Sequence, residues 1–313
     1  MSLSSQIRLR LPKVDQPFKQ PRQPHLLRTV LLGPANAGKS TLVNQLVGRD
    51  VTVVAPIAQT TRKRVMAAMT RGNKQVVFLD TPGVVVSSLR HKVHRELVTS
   101  PWTSLDEAEH ALLVIDAYKA IYHTTVAEDE IFRRLKSREI PATLVMNKMD
   151  LFKNSAIVEE VAQHYQGLYP LIRNTFYLSA TAHSTINPLR QELLSLATPQ
   201  PWLVSPSFHN DLPELTQVED VIRAELFTRL RGYIPYIIQQ KNHRWEEVPG
   251  EEHSTLYIEQ ILYVDNVRQK KIVVGKDGSL VKEAAFAARK RISRLFQLPV
   301  ILSLVVKVKN TYH

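Results

Sequence analysis

The sequence predicts an α/β protein: a phosphate-loop domain with a mostly parallel sheet, followed by a smaller α+β domain. Three observations carry this. The stretch Gly33-Pro34-Ala35-Asn36-Ala37-Gly38-Lys39-Ser40-Thr41 reads G-x-x-x-x-G-K-S and stands between an apolar run and a helical one. Short apolar runs then alternate with longer helical stretches, the pattern of a parallel sheet covered on both faces. Beyond a proline-rich break the order changes to helix, two strands, glycine loop, helix and strand.

The 313 residues suit two domains of ordinary size, and the 44% hydrophobic content is enough to build their cores. Cysteine is absent, which excludes thiol chemistry, disulfides and cysteine-based zinc sites. The formal net charge is +12 and the pI about 9.8, an excess that points to a polyanionic partner. No apolar segment approaches the roughly 20 residues that span a bilayer. The longest comparable run, Ala108–Ala117, holds Glu109, His110 and Asp116 and reads as a buried strand.

Residues 1–24 form a basic leader in which Arg8, Arg10, Lys13, Lys19 and Arg22 meet one acid, Asp15. Organelle transit segments have this composition, and so does a plain disordered basic arm. Pro12, Pro17, Pro21 and Pro24 argue against a long amphipathic helix there.

Residues 25–198 make the first domain. Strands are expected at Thr29–Leu32, Gln75–Leu79, Ala111–Ile115, Ala142–Met146 and Thr175–Leu178, with Arg71-Gly72-Asn73-Lys74 as a hairpin turn that adds one antiparallel pair. Nucleotides bind at the carboxyl ends of such strands. In the loop after the first strand, the glycines let backbone N–H groups converge on phosphate oxygens, helped by the helix N-terminus. Lys39 would reach the terminal phosphates, and Ser40 would hold Mg²⁺.

Each later strand end carries its own polar signature. Asp80-Thr81-Pro82-Gly83 offers a carboxylate for Mg²⁺ and, at Gly83, a backbone N–H for the γ-phosphate. Asn147-Lys148-Met149-Asp150 offers a carboxylate that can accept two hydrogen bonds from guanine; adenine has no such donor pair. A site built to pair a polar group rejects an analogue that lacks it by about 10⁴–10⁵. Asn147 can brace the phosphate loop, and the Lys148 stem can lie on the base plane. Ser179-Ala180-Thr181 would supply a backbone N–H to the guanine carbonyl.

These four motifs, with Gln59-Thr60-Thr61-Arg62 between the first two, resemble those of the Era family of GTPases. The resemblance implies GTP/GDP and Mg²⁺ as ligands. The nucleotide would meet Gly33, Asn36, Ala37, Gly38, Lys39, Ser40, Thr41, Asn147, Lys148, Asp150, Ser179 and Ala180. The metal would meet Ser40, Asp80 and Thr61, with Thr60 an alternative to Thr61. Lys39, Thr61 and Gly83 form the expected catalytic set. Val84 stands where Ras-like proteins carry a catalytic glutamine, a departure that Era-like proteins share, so intrinsic hydrolysis should be slow. Asn36 matches an asparagine that helps hold a monovalent cation in the wider family, which makes K⁺ an expected helper. Pro34 sits one place earlier than in the family's usual G-x-P-N; the glycines and Asn36 are unmoved, and no loss of function is expected.

Pro199, Pro201, Pro206 and Pro213 mark residues 199–213 as a linker, and residues 214–313 as the second domain. Val218–Tyr233 reads as an amphipathic helix with Val218, Val221, Ile222, Leu226 and Leu230 on one face. Strands are expected at Tyr236–Arg244 and Thr255–Val264. An apolar run ending at Val274 leads into Gly275-Lys276-Asp277-Gly278, then a helix to about Phe296 and a last strand, Val300–Val308. In KH domains a G-x-x-G loop clamps about four nucleotides by their backbone. From Arg268 to Lys309 eleven lysines and arginines face only Asp277 and Glu283, so the charge is concentrated around this loop. Lys270, Lys271, Gly275, Lys276, Asp277, Gly278, Lys282 and Arg289 are the expected RNA contacts. The order of elements is also that of the Era KH domain (type II-like), so the resemblance covers roughly Arg28–Lys309.

The resemblance implies a GTP-hydrolysing, rRNA-binding assembly factor of the small ribosomal subunit, acting near the 3′ end of its rRNA. Switch segments at Gln59–Arg62 and Pro82–Ser88 would reset on hydrolysis and signal through the linker. Two alternatives remain. One is an RNA-binding scaffold with guanine nucleotide as a passive switch; the other is a peripheral GTPase whose basic arm meets anionic membrane. The leader and high pI point to an organelle form, the mitochondrial rRNA-binding one, in the matrix or at the inner membrane; a bacterial cytoplasmic protein is the alternative. His91, His94 and His110 lack metal-ligand spacing.

Overall fold

A computed structural model describes residues 18–52, 65–81, 102, 104–122, 126–152, 156–208, 210–250 and 253–309. The described chain forms two units that divide between Leu212 and Pro213.

In the first unit the chain runs β1 (His25–Leu32), α1 (Lys39–Val47), β2 (Val65–Arg71), β3 (Lys74–Asp80), β4 (His110–Asp116) and α2 (Ala117–Ala120). It continues through α3 (Val126–Arg138), β5 (Ala142–Asn147), α4 (Ala156–Leu168), β6 (Ile172–Tyr177), α5 (Asn187–Ser195) and β7 (Thr198–Pro199). The sheet order is β2-β3-β1-β4-β5-β6, with β7 as a short antiparallel addition to β1. The β2–β3 hairpin is antiparallel and turns between Arg71 and Lys74; the pairs from β3 to β6 are parallel.

Alternation along the strands sorts two cores. Val30, Leu32, Leu113, Ile115, Leu144 and Met146 pack with Ile131 and Phe132 of α3 and Val158 and Tyr165 of α4. Their neighbours Leu31, Phe78, Leu112, Val114 and Val145 pack with Leu42 and Leu46 of α1 and Leu189 and Leu193 of α5. Burying each such side chain contributes about 1.5–3 kcal/mol. β4 is buried along its whole length, as a central parallel strand must be. Stacking the parallel strands in this way aligns their carboxyl ends, and among the described residues Gly33–Thr41, Asp80, Thr81, Asn147–Asp150 and Ser179–Thr181 lie at or just after those ends.

The stretch 199–213, expected as a linker, is bound to the first unit as far as Leu212. The buried Gln75 amide accepts from the N–H groups of Leu203 and Val204 at 3.0 and 3.2 Å and donates to the Val204 carbonyl at 2.9 Å. Trp202 Nε1 donates to the Asn73 carbonyl at 3.1 Å. Further on, Asn210 Nδ2 donates to the Val51 carbonyl at 3.0 Å, and Asp211 accepts from the Met66 N–H at 2.7 Å. The prolines limit regular pairing to short pieces, such as the Gln200 N–H on the Pro24 carbonyl at 3.1 Å and the Asp211 N–H on the Met66 carbonyl at 3.2 Å, and side chains supply the other bonds.

The second unit runs α6 (Glu214–Arg229), α7 (Ile234–Ile237), β8 (Gln239–Val248), β9 (Thr255–Val264), α8 (Val267–Val274), α9 (Ser279–Phe296) and β10 (Val300–Val308). Its sheet order is β10-β9-β8, antiparallel between β8 and β9 and parallel between β9 and β10. The face expected for α6 is buried: Val218, Val221, Ile222 and Leu226, with Leu230 just beyond the helix. The order of elements needs one correction. The apolar run before the glycine loop is the helix α8, started by Asn266, whose side chain accepts from the Gln269 N–H at 3.0 Å. Parallel strands require a crossover, and α8 and α9 provide it.

Candidate nucleotide site and RNA surface

The phosphate loop is shaped by contacts that only glycine allows. Gly38 has φ 97°, and a Cβ there would lie 2.2 Å from Asn147 Nδ2. Asn147 takes the space instead: its Nδ2 donates to the Ala37 carbonyl at 2.7 Å, joining the end of β5 to the loop. Lys39 is buried, and its Nζ donates to the carbonyls of Gly33 and Pro34, both at 3.0 Å. Burial pushes its pKa down to about 8, against the attraction of Asp80. Asn36 has φ 65°.

Asp80, at the end of β3, is fully buried beside this loop. Ser40 Oγ donates to Asp80 Oδ2 at 2.8 Å. Burial pushes the Asp80 carboxyl up to about 6; the Lys39 charge and the Ser40 hydrogen bond oppose that rise. Its Oδ1 is buried with no hydrogen-bond partner among the described residues. A buried carboxylate oxygen left open beside a hydroxyl is the donor set of a hard divalent cation such as Mg²⁺. These residues therefore fit the metal. Thr61, Thr60, Gly83, Val84 and the two switch segments lie outside the described residues.

At the end of β5, Lys148 adopts a left-handed backbone and starts a single turn, Met149–Leu151. That turn carries Asp150, which accepts a short hydrogen bond from Ser179 Oγ. The carboxylate is thereby held in one orientation, as base recognition needs. Ser179 is in turn fixed by Thr185, whose Oγ1 donates to the Ser179 carbonyl at 3.0 Å. Of the backbone N–H groups in Ser179-Ala180-Thr181, that of Ala180 donates to Asn147 Oδ1 at 2.9 Å. Asn147 thus spans both sides of the pocket, and base binding at that N–H requires this bond to be exchanged.

Asp116 was not among the sequence candidates. It ends β4, is buried, and its Oδ2 lies 2.7 Å from Lys148 Nζ. Its Oδ1 also accepts from the Lys119 N–H at 3.3 Å, capping α2. The available signal was a lone acid at the end of an apolar strand, the same place that holds Asp80 and Asn147. Thr41 lies in the first turn of α1.

In the second unit, Gly275–Gly278 joins α8 to α9. A Cβ on Gly275, where φ is 75°, would lie 2.7 Å from the Leu280 Cβ, so the loop can close on α9 only with glycine there. Asp277 has φ 54°. Lys276 and Asp277 are exposed at the tip, and Lys282 Nζ donates to the Asp277 carbonyl at 3.3 Å. Lys270 and Lys271 are exposed on α8, Arg289 on α9. The eight expected RNA contacts thus fall on one loop and the two helices it joins. Among the described residues no group of three or more metal-binding side chains occurs, and no helix is long and apolar enough to cross a membrane.

A phosphate loop on a parallel sheet, with a carboxylate-bearing base pocket and a helix–G-x-x-G–helix module, defines a P-loop GTPase joined to a KH domain. Residues 28–148 match the family model described as 50S ribosome-binding GTPase, and residues 234–311 match the KH domain model. The chain is 34% identical over 282 residues to the GTPase Era of Sinorhizobium medicae, covering 90% of this chain and 88% of the relative. It is 31% identical to that of Ehrlichia canis, covering 90% and 92%. A crystal structure of Era with MgGDPNP and nucleotides 1506-1542 of 16S ribosomal RNA superposes with a TM-score of 0.82 at 27% identity, over 92% of this chain and 95% of that one. A point variant of Aquifex aeolicus Era bound to GDP.AlF4- gives a TM-score of 0.81 at 27% identity, over the same shares. The chain belongs to the Era family of GTPases.

Proposed function

We propose that this GTPase binds small-subunit rRNA near its 3′ end through the KH domain and serves in assembly of the small ribosomal subunit. The observation that carries the reading is the pairing, on one chain, of a phosphate loop beside a Ser179-oriented Asp150 carboxylate with a basic G-x-x-G surface. The superposition on Era crystallised with 16S rRNA supports the choice of RNA.

In the reaction, water attacks the γ-phosphate and GDP leaves with no covalent intermediate. The Lys39 ammonium leaves the Gly33 and Pro34 carbonyls for the terminal phosphates. The loop N–H groups hold the remaining oxygens. Asp150, oriented by Ser179, accepts from guanine, and the Lys148 stem covers one face of the base. Ser40 and Asp80 would hold Mg²⁺, which when bound neutralises charge on the β- and γ-phosphates. Thr61 and Gly83 are the proposed switch contacts and Val84 leaves hydrolysis slow; Asn36 is the proposed K⁺ contact.

Asp150→Asn tests the pocket. GTP affinity is expected to fall by a factor on the order of 10² while xanthosine triphosphate gains, because the amide now matches its carbonyl. Unchanged GTP affinity removes the assignment. Multiple-turnover hydrolysis in K⁺ against Na⁺, with and without rRNA, separates this reading from the passive scaffold, which turns over in none of these conditions. The bacterial relatives support a bacterial type of cytoplasmic setting; a mitochondrial one rests on the basic residues 1–24 and the high pI, and mapping the mature N-terminus after cell fractionation tests it.

We also infer that residues 199–213 carry the signal between the domains. Asn210 and Asp211 are bonded to Val51 and Met66, which flank residues 53–64 in sequence.

A further inference from the structure

We propose that the outward face of α9, beyond the glycine loop, is a second contact surface for single-stranded RNA. Phe286 would be its platform for one base, and Lys290, Arg289 and Arg294 would meet phosphates. The inference rests on the RNA-binding reading of this domain and extends its footprint.

α9 buries Ala284, Ala288 and Ile292, so the helical period puts Phe286 on the opposite side, where it is 54% exposed. A single exposed apolar side chain needs no explanation by itself. Here two cations stand at the ring: Lys290 Nζ lies 4.3 Å from its centroid, and the Arg289 guanidinium 5.3 Å. Arg289, Lys290 and Arg294 have no carboxylate partner among the described residues, whereas Arg291 on the same helix pairs with Glu225 at 3.1 Å. The helix thus pairs Arg291 with a carboxylate and leaves Lys290 and Arg289 at an aromatic ring, with Arg294 exposed further along. That combination serves single strands: bases stack on aromatic rings and on guanidinium planes, and phosphates meet the free charges.

The surface is continuous with the loop. Lys282 Nζ, bonded to the Asp277 carbonyl, lies between the two on α9. Phe286 follows Gly278 by about 12 Å of helix, a short step for a strand leaving a clamp that holds about four nucleotides. Glu283 is the one acid on this face.

The test uses the full chain and two labelled RNAs from the 3′ end of small-subunit rRNA, one of four nucleotides and one of ten, read by fluorescence anisotropy. Phe286→Ser and Lys290→Ser are expected to weaken the ten-mer about five- to tenfold, within the range for one stacked base, and to leave the four-mer unchanged. Lys290→Ser should also lower the salt slope for the ten-mer by about 0.7. Lys276→Glu should weaken both lengths, and thermal melts verify that each variant folds. Wild-type affinity of Phe286→Ser for the ten-mer overturns the proposal, as does equal loss on both lengths. Loss of binding to anionic vesicles in Phe286→Ser, with RNA binding intact, assigns the face to lipid and overturns it too. Wild-type protein that binds neither RNA sinks the underlying RNA-binding reading instead.

Discussion

Asp116 shows how much one buried carboxylate can organise. It caps α2 with one oxygen and holds the Lys148 ammonium with the other, and so fixes the lysine stem beside the base pocket. In the proposed pocket the stem would cover a base face without reading its edge, so its loss should weaken all purine nucleotides alike. Asp116→Ala is therefore expected to lower GTP and GDP affinity about tenfold, roughly 1.4 kcal/mol, and to keep the preference over ATP, which the proposed pocket assigns to Asp150. A double-mutant cycle with Lys148→Ala checks this: in that background Asp116→Ala should have little further effect. His110 makes a different prediction. It is buried, with Nε2 2.9 Å from Thr143 Oγ1, and burial, helped by the Arg173 charge, pushes its pKa down to about 4. The unfolded chain binds a proton near pH 6.5 and the folded chain does not, so stability is present above that pH and is lost as pH falls toward 4. By pH 5 the loss is about 2 kcal/mol. Urea titrations should show His110→Gln gaining that much on the wild type between pH 7 and pH 5; parallel curves would refute the buried neutral imidazole.

At the scale of elements, the first domain was legible because its strands are doubly buried. Continuous apolar runs with polar ends, such as Ala111–Ile115 and Ala142–Met146, fall within β4 and β5 with a residue or so to spare. The described motif residues Gly33, Asp80, Asn147 and Ser179 stand out for the same reason, since each sits where an apolar run stops. α8 was not legible. Ile272, Val273 and Val274 favour a strand locally, and only Gln269 and Val273 of the helix are buried, too few to show a helical period. The signal that would have found it is the Asn266 cap, read together with the need for a crossover between parallel β9 and β10. Removing that cap is expected to matter. Asn266→Ala should cost about 1 kcal/mol and lower the thermal midpoint of the KH domain, while GDP binding by the first domain stays as it was. A variant as stable as the wild type would mean that α8 is held by its packing alone. The stretch 199–213 reads as a linker in the sequence, and its bonds to the first unit are hidden there because Gln75, Asn73 and Met66 make them, all far away in sequence.

For the whole molecule, that attachment gives the proposed signal between the domains a route to test. A free linker would let the KH domain bind RNA without regard to nucleotide. Here the last residues before α6 are bonded to the first domain at Val51 and Met66, on either side in sequence of the segment that carries Gln59–Arg62. In the proposed coupling, a difference between the GTP and GDP states at those two positions would act on Asn210 and Asp211, and from there on the chain entering α6. Coupling between two sites commonly amounts to about 1–3 kcal/mol, or roughly 5- to 150-fold in affinity. Asp211→Ala removes the acceptor of the Met66 N–H and touches neither the guanine pocket nor the glycine loop. RNA affinity measured with a non-hydrolysable GTP analogue and with GDP should differ in the wild type, and that difference should shrink severalfold in the variant. Affinity for each nucleotide in the absence of RNA should stay within about twofold, because coupling is a property of the pair of sites and not of either one. A full nucleotide-dependent difference in Asp211→Ala, with the fold intact by melting, would place the coupling elsewhere. By linkage, RNA must shift the GTP-to-GDP preference by the same factor in the wild type, and a nucleotide competition experiment with saturating RNA measures it from the other side.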